Sequence, residues 1–360
     1  INGETVKTGT GTELTYDYTL SKQGNYSIEF SATNGSETKT AKAFTCVPNA
    51  PTKANRPAGI INGIYYDKND QTKVTLCTYA GSKTEPAKNV FVVGDFNDWT
   101  ISNDYQLKQA NDSAYFWIEL NNLIPDTEYA MQYVVVRADG KVVRISDLYS
   151  EKVLHGDDKW ISGYVNNYPV QGDGYVTVLH PGKTDFQWSD ATINFKRPNK
   201  NNLVIYELWV YDHTPSRNIK GLIDRLNYIE DLGVNAVELM PVTEFDGNES
   251  WGYSPNHFFA LDKMYGTPED LKTFIDECHK NGVKVNVYTV DSEEDAYKMI
   301  EDGLVERDGL HILKVEKQLS LEKYLVMVVT ENMALDKKNW TPTSYTEWAN
   351  NYFLKYVENI

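Results

Sequence analysis

The sequence predicts a multidomain fold in which β-sandwich pieces precede a parallel α/β sheet or barrel. Short segments of alternating apolar and polar residues fill the first half of the chain, and a Pro-containing linker interrupts them at 48–57. Beyond residue 200, continuous apolar runs alternate with helical patterns. A length of 360 residues suits two or three domains. We expect the domains 1–50, 57–190 and 200–360.

The first two domains have the strand pattern of sandwiches. Residues 14–20 and 26–30 alternate between apolar and polar, with turn residues between them, which predicts a few short strands and hence a partial sandwich. The second domain repeats the pattern on a larger scale. Its predicted strands are 59–66, 73–79, 89–94, 115–120, 129–137 and 141–148.

The third domain has a different hydrophobic pattern from the first two. The runs 203–210, 234–240 and 283–288 are nearly continuous in apolar residues, which predicts strands buried on both faces. Apolar residues at helical spacing from Ile219 to Ile229 predict an amphipathic helix that stops at Gly233. A second helix is predicted to begin after Thr267, with Pro268 in its first position, and to stop at Gly282. Strands and helices in this order indicate a parallel sheet or barrel.

Composition excludes several partners. Lys and Arg number 35 and Asp and Glu 51, so the formal charge is 35 − 51 = −16, which argues against nucleic acid or an anionic membrane. No run of about 18 apolar residues exists, so we expect no membrane-spanning segment. Three widely spaced cysteines predict neither a disulfide framework nor a zinc site, although one bridge between Cys46 and Cys77 stays open. The 25 Tyr and 8 Trp residues suit either strands or surfaces that stack on sugars.

The segment 94–99, G-D-F-N-D-W, resembles the immunoglobulin-like module that precedes the barrel in amylases and glycogen-branching enzymes of glycoside hydrolase family 13. The resemblance implies that the second domain is such an immunoglobulin-like, glycan-binding-module-like sandwich. Trp99 is then either a core or hinge aromatic or a residue that stacks on a glycan.

Four segments of the third domain, in order, resemble the first third of the barrel of the same family. They are 206–208 (Y-E-L), 232–241 (L-G-V-N-A-V-E-L-M-P), 251–255 (W-G-Y-S-P) and 265–270 (Y-G-T-P-E-D). The resemblance implies a TIM-barrel-like domain acting on α-glucans by a retaining mechanism, with Tyr253 stacked on a sugar. Trp251 and His257 are its predicted neighbours on the same loop, and loop packing is the competing interpretation for Tyr253 and His257.

The sequence departs from the family where catalysis is expected. The positions of the family's aspartate, calcium-ligating asparagine and histidine after the third strand hold Tyr288, Ser292 and Glu293. At 308–314 the nucleophile position holds Leu313, which cannot form a glycosyl ester. Glu331, after an apolar run, is the sole candidate for the acid/base that retaining hydrolysis requires, and a solvated charge at a strand end is the competing interpretation.

Two hypotheses follow. The chain is either an α-amylase-type enzyme that is catalytically incomplete or a non-catalytic α-glucan-binding or structural remnant of one. About 160 residues follow position 200, whereas a complete barrel needs about 250, so the barrel is expected to be shortened. We expect no metal or cofactor. The resemblance also implies a bacterial protein that is monomeric and secreted or attached to the cell surface.

Overall fold

The computed structural model describes residues 1–60, 62–81, 85–111, 113–163 and 167–287, and the short strands at 305–306 and 311–312. Contacts divide the chain into a first unit, Ile1–Tyr288, and a second unit, Thr289–Ile360. In the second unit, β17 (Val305–Glu306) pairs antiparallel with β18 (His311–Ile312). The positions at which the sequence departs from the family, Tyr288, Ser292, Glu293 and Leu313, lie outside the described residues.

The first unit begins with a hairpin of two long strands, β1 (Gly24–Asn34) and β2 (Glu37–Val47). They pair antiparallel in unbroken register around Gly35, whose φ of +63° suits the tight turn. The strand expected at 14–20 does not form. Tyr16 and Tyr18, which belong to its alternation, are exposed, so the segment lacks the packed face that stabilises a strand.

Two antiparallel sheets then face each other across a shared core. One sheet has the order β3-β4-β7-β6, and the other has the order β10-β11-β8-β5 with β9 beside β8. The strands are β3 (Gly63–Tyr66), β4 (Val74–Tyr79), β5 (Asn89–Gly94), β6 (Lys108–Gln109), β7 (Tyr115–Leu120), β8 (Tyr129–Val136), β9 (Val142–Ile145), β10 (Val153–Leu154) and β11 (Val176–Leu179). Leu76 and Phe116 of the first sheet pack with Val92 and Tyr133 of the second. The predicted strands of this region are therefore confirmed as a two-sheet sandwich, and its immunoglobulin-like character stays a prediction.

The G-D-F-N-D-W segment is a structural turn. The Asn97 side chain accepts a hydrogen bond from the Gly94 amide at 2.9 Å and donates one to the Val92 carbonyl at 3.1 Å. Asp95 accepts from the indole Nε1 of Trp99 at 2.9 Å and from the Ala130 amide at 2.7 Å. Trp99 is buried in a core cluster, so the core interpretation is correct and the glycan-stacking alternative is wrong for this position.

The segment from 190 to 287 contains a parallel three-stranded sheet together with a hairpin and helices. The sheet has the order β12-β13-β16, with β12 (Ile205–Leu208), β13 (Ala236–Leu239) and β16 (Lys284–Val287). A hairpin of β14 (Thr243–Phe245) and β15 (Pro255–Leu261) follows β13. The helices are α1 (Asp190–Ile193), α2 (Val210–His213), α3 (Ile219–Ile223), α4 (Leu226–Asp231) and α5 (Pro268–Lys280).

Two expectations for this segment are wrong in part. The predicted helix from 219 is divided at Arg225 into α3 and α4, although its apolar face, Ile219, Leu222, Leu226 and Ile229, is buried as expected. Strand β12 is not buried on both faces, because Ile205 is 54% exposed. Leu208 packs inward, whereas the face of Ile205 and Glu207 has no covering layer among the described residues.

Helix α5 follows its prediction closely. The Thr267 side chain accepts from the Asp270 amide at 3.1 Å, and the Asp270 carboxylate accepts from the Thr267 amide at 2.9 Å, which closes a capping box before Pro268. Gly282 ends the turn with a φ of +73°. None of the helices in the described part of the chain has the length and apolar character needed to cross a bilayer. No disulfide joins Cys46 to Cys77, the bridge that the sequence left open.

Candidate functional site

A cluster of aromatic side chains lies where the parallel strands end. Trp209 and Tyr211 follow the carboxyl end of β12, and Trp251 and Tyr253 lie in the loop between β14 and β15, which itself follows β13. Ligand sites of parallel α/β folds lie at this edge of the sheet, because the loops after the strands converge there. We call Trp209, Tyr211, Trp251 and Tyr253 the aromatic cluster.

Hydrogen bonds from Trp209 and Tyr265 to the Ser250 carbonyl hold the base of the cluster in place. The Trp209 indole Nε1 donates to the Ser250 carbonyl at 2.9 Å and lies 3.0 Å from the hydroxyl of Tyr265. Tyr265 is fully buried, and its hydroxyl also donates to the Ser250 carbonyl at 3.2 Å. Burial raises the pKa of Tyr265, so this hydroxyl stays protonated and available as a donor. The loop that carries Trp251 is thereby fixed to the end of β12.

The outer layer of the cluster presents flat rings to solvent. The rings of Trp209 and Tyr211 stack with centroids 5.1 Å apart and planes at 21°, and Trp251 meets Trp209 edge-on at 6.4 Å. Trp251 is 62% exposed and Tyr253 51% exposed. Exposed aromatic faces held in fixed geometry form a surface suited to flat, partly apolar ligands.

Charged groups orient the rim of the cluster. The Tyr211 hydroxyl donates to Glu249 Oε2 at 2.9 Å, and the guanidinium of Arg217 lies 4.4 Å from the centre of the Tyr211 ring. Arg217 also donates to the Tyr211 hydroxyl. These contacts hold the Tyr211 ring against Trp209 and leave hydrogen-bonding groups beside the exposed faces.

Gly252 lets the loop approach the strand end. Its φ is +86°, and a Cβ at this position would lie 2.3 Å from the Pro241 carbonyl oxygen. Only glycine meets both conditions without strain. The glycine of W-G-Y-S-P therefore sets the position of the aromatic residues on either side of it.

The structure separates the predicted site residues. Trp251 and Tyr253 lie together in the exposed loop as expected, but the expectation that His257 shares this loop is wrong. His257 lies in β15 and is 2% exposed, and its Nε2 is 2.8 Å from the Ser146 hydroxyl of the sandwich. Burial lowers the pKa of His257 to about 4, so the ring is neutral at pH 7. Glu331, the acid/base candidate, lies outside the described residues, and the binding roles of the other three stay predictions.

His257 belongs to a buried polar contact between the sandwich and the α/β segment, which we call the junction cluster. Its other members are Asp158, Glu244, Asp262 and Lys263. The Lys263 ammonium lies 2.5 Å from Glu244 Oε1 and 3.5 Å from Asp158 Oδ1. Asp158 comes from the sandwich side, so a single cation joins carboxylates of both parts.

The junction cluster also contains strongly perturbed carboxyl groups. Burial raises the pKa of Glu244 despite the adjacent Lys263, and burial raises the pKa of Asp262 to about 6. Perturbed carboxyls often mark catalytic sites. Here both side chains are buried and walled by packed residues, so a substrate has no access to them and their role is structural. Among the described residues, no group of three or more His, Cys, Asp or Glu side chains is arranged to hold a metal ion.

Three residues at the aromatic cluster and its base were not predicted as site residues: Trp209, Tyr211 and Tyr265. Trp209 was part of the predicted strand 203–210, Tyr211 directly followed that strand, and Tyr265 was one letter of a motif. An aromatic residue directly after a buried strand, as Trp209 is, was the available signal, because side chains at that edge face the site.

The comparison with known families agrees with this geometry. Residues 190–292 match the family model of the alpha amylase catalytic domain. This stretch contains all four of the predicted motif segments, and it is similar to the α-amylase catalytic domain of glycoside hydrolase family 13. The predicted family resemblance is thereby confirmed.

Two individual proteins are similar to this chain over part of its length. A malto-oligosyltrehalose trehalohydrolase from Saccharolobus solfataricus is 31% identical over 182 residues, which cover 50% of this chain and 28% of the relative. A 1,4-alpha-glucan branching enzyme GlgB from Synechococcus elongatus is 27% identical over 248 residues, covering 63% of this chain and 30% of the relative. The chain thus spans less than a third of the length of either relative.

Solved structures of similar proteins were also found. A putative alpha amylase from Salmonella typhimurium is 28% identical with a TM-score of 0.46, covering 63% of this chain and 32% of that chain. The pullulanase SAP of group B Streptococcus, solved in complex with maltotetraose, is 21% identical with a TM-score of 0.47, covering 64% of this chain and 33% of that chain.

Proposed function

We propose that this chain binds linear α-glucans on the aromatic cluster, as part of an α-amylase-family glycoside hydrolase. The observation that carries the proposal is the exposed pair Trp251 and Tyr253 beside the stacked rings of Trp209 and Tyr211. A pyranose presents an apolar face that packs on an aromatic ring, and its hydroxyls need hydrogen-bonding groups at the rim. Glu249 and Arg217 supply such groups. The names of the relatives, which include a 1,4-alpha-glucan branching enzyme, support the substrate class.

The finer architecture is also a proposal. The three parallel strands are the first three of a (β/α) barrel, the sandwich is an immunoglobulin-like module, and the domains are 1–50, 57–190 and 200–360. Support for the barrel comes from the polar face of the sheet. Glu207, Glu238 and Asn286 lie side by side in register there, on the opposite face from the buried Leu239 and Val285.

Binding is tested with the purified chain and isothermal titration calorimetry, using maltoheptaose as ligand and cellohexaose as a β-linked control. We expect binding of the α-linked sugar alone. Replacing a central aromatic contact typically costs more than 1 kcal/mol, so Tyr253→Ala is expected to weaken binding by about tenfold. Tyr228→Ala is the matched control, because Tyr228 is a similarly exposed tyrosine on α4. Equal affinities of the Tyr253→Ala and Tyr228→Ala variants would contradict the assignment of the site.

Whether the protein hydrolyses the glucan is a separate question with Glu331 as its candidate acid/base. In the enzyme hypothesis, soluble starch yields new reducing ends and Glu331→Gln abolishes them. In the remnant hypothesis, the chain binds starch without turnover, and binding is lost in Tyr253→Ala. Loss of a catalytic group costs several orders of magnitude in rate, so the two outcomes are well separated.

We further propose that the protein is a monomer, is secreted or attached to the cell surface of a bacterium, and needs no cofactor for binding. The acidic charge and the absence of a C-x-x-C pattern are compatible with these expectations. Gel filtration, cell fractionation and titration in the presence of a chelator test them. A dimer, a purely cytoplasmic fraction or chelator-sensitive binding would each overturn the corresponding expectation.

A further inference from the structure

An exposed tryptophan of the sandwich lies three residues after Asp157, whose carbonyl contacts the loop of the aromatic cluster. Trp160 ends the short 3₁₀ helix Gly156–Trp160, which we call the junction helix. Its side chain is 74% exposed, and the ammonium of Lys159 lies 5.1 Å from the ring centre. An indole this exposed gains almost nothing from the core, so its contribution to the sandwich itself is small.

The junction helix is nevertheless held firmly. The Asp158 carboxylate accepts a hydrogen bond from the His155 amide at 2.7 Å and lies 3.5 Å from the Lys263 ammonium. Asp158 and Lys263 are both largely buried, so this ion pair is shielded from screening by solvent. The backbone that carries Trp160 is therefore fixed relative to the α/β segment rather than free to move with a surface loop.

A second contact places the junction helix against the loop of the aromatic cluster. The Asn248 side chain donates from Nδ2 to the Asp157 carbonyl at 2.9 Å. Asn248 directly precedes Glu249 and Ser250, which hold Tyr211 and Trp209. A 3₁₀ helix rises about 2 Å per residue and a loop spans at most about 3.3 Å per residue, so this hydrogen bond keeps the Trp160 backbone within roughly 25 Å of the Trp251 backbone. Two exposed indoles at that spacing can be bridged by one extended oligosaccharide.

We propose that Trp160 is an outlying contact for the same α-glucan chain that the aromatic cluster binds, so that long chains gain an interaction that short chains cannot reach. The inference rests on the proposed function, since it takes the ligand from there. The open face of the indole stacks on a distal glucosyl unit. The connection between the two sites is an effective-concentration effect: once the cluster holds one end, the distal contact forms within the complex.

The test compares maltotriose with maltoheptaose by isothermal titration calorimetry. Trp160→Ala is expected to weaken maltoheptaose binding by about fivefold and to leave maltotriose binding unchanged. Val170→Ala is the control, because Val170 is 94% exposed in the same part of the sandwich and has no link to the cluster loop among the described contacts. Trp160→Phe, which keeps an aromatic face, is expected to recover part of the lost affinity.

The outcomes separate the two proposals. If the wild-type protein binds both sugars and Trp160→Ala changes neither, the role of Trp160 is refuted and the proposed function stands. An equal loss for both sugars, accompanied by a lower thermal midpoint, would assign Trp160 a structural role and also refute the proposal. If the wild-type protein binds neither sugar, the proposed function fails, and the role of Trp160 fails with it.

Discussion

Replacing Gly252 by alanine tests whether its close approach to Pro241 positions the aromatic cluster. The added Cβ would lie 2.3 Å from the Pro241 carbonyl oxygen and 2.8 Å from the Pro241 Cβ, about 1.1 Å and about 0.6 Å inside ordinary contact distance. The φ of +86° is also unfavourable for any residue with a Cβ, by about 1–2 kcal/mol. Overpacking of a tight contact adds about 1–3 kcal/mol. We therefore expect Gly252→Ala to destabilise the α/β segment by about 2–5 kcal/mol.

The same loop offers a matched control. Gly247 has a φ of +79°, but a Cβ there would meet no atom within 4 Å. Gly247→Ala therefore measures the cost of the positive φ alone, and we expect the free energy of unfolding to fall by about 1–2 kcal/mol. Both variants are measured by urea unfolding with tryptophan fluorescence, which Trp209 and Trp251 report, and by maltoheptaose titration. If Gly252→Ala is no more destabilising than Gly247→Ala and binds the sugar as tightly as the wild type, the close contact with Pro241 does not position the aromatic cluster.

Two further predictions concern buried charges. Lys263→Met leaves the Glu244 carboxyl buried without its cation, so we expect a loss of about 3–5 kcal/mol in the free energy of urea unfolding; a loss below about 1 kcal/mol would show that the junction cluster is dispensable. Burial alone would raise the pKa of Asp276, yet hydrogen bonds from Thr192 and Ser189 lower it to about 2. The depressed pKa contributes about 2 kcal/mol, fully present above about pH 4 and lost as the pH falls through 2. Asp276→Asn should therefore be less stable than the wild type at pH 7, with the difference shrinking towards pH 2; a difference that is constant with pH would contradict this.

Local signals predicted the elements whose stabilising contacts are close in sequence. Helix α5 is one such element, because Thr267, Pro268 and Asp270 form its cap within four positions and Gly282 ends it. The parallel strands β13 and β16 pair with distant segments, but they were predicted within two residues of their ends because their continuous apolar runs are a local signal. The W-G-Y-S-P segment was recognised as part of the site because its motif is contiguous in the chain.

Residues whose partners are far away in sequence were predicted less well. His257 was assigned to the open loop, but its partner Ser146 is 111 positions away, and no local pattern indicates that contact. Tyr265 supports Trp209 across 56 positions, and this support was not predicted. The division of the helix at Arg225 was also missed, since the apolar spacing of α3 and α4 is continuous.

The sequence by itself determined the α-amylase family of the 190–292 stretch, the strands of the sandwich, the cap of α5 and the exposed pair Trp251 and Tyr253. These depend on periodicity, on capping and on contiguous motifs, which are encoded over a few residues. Only the tertiary structure decided that Trp99 is a core residue, that His257 lies in the junction cluster and that the junction helix, which carries Trp160, contacts the loop of the aromatic cluster. Burial and long-range pairing set those roles, and they exist only once distant segments of the chain pack together.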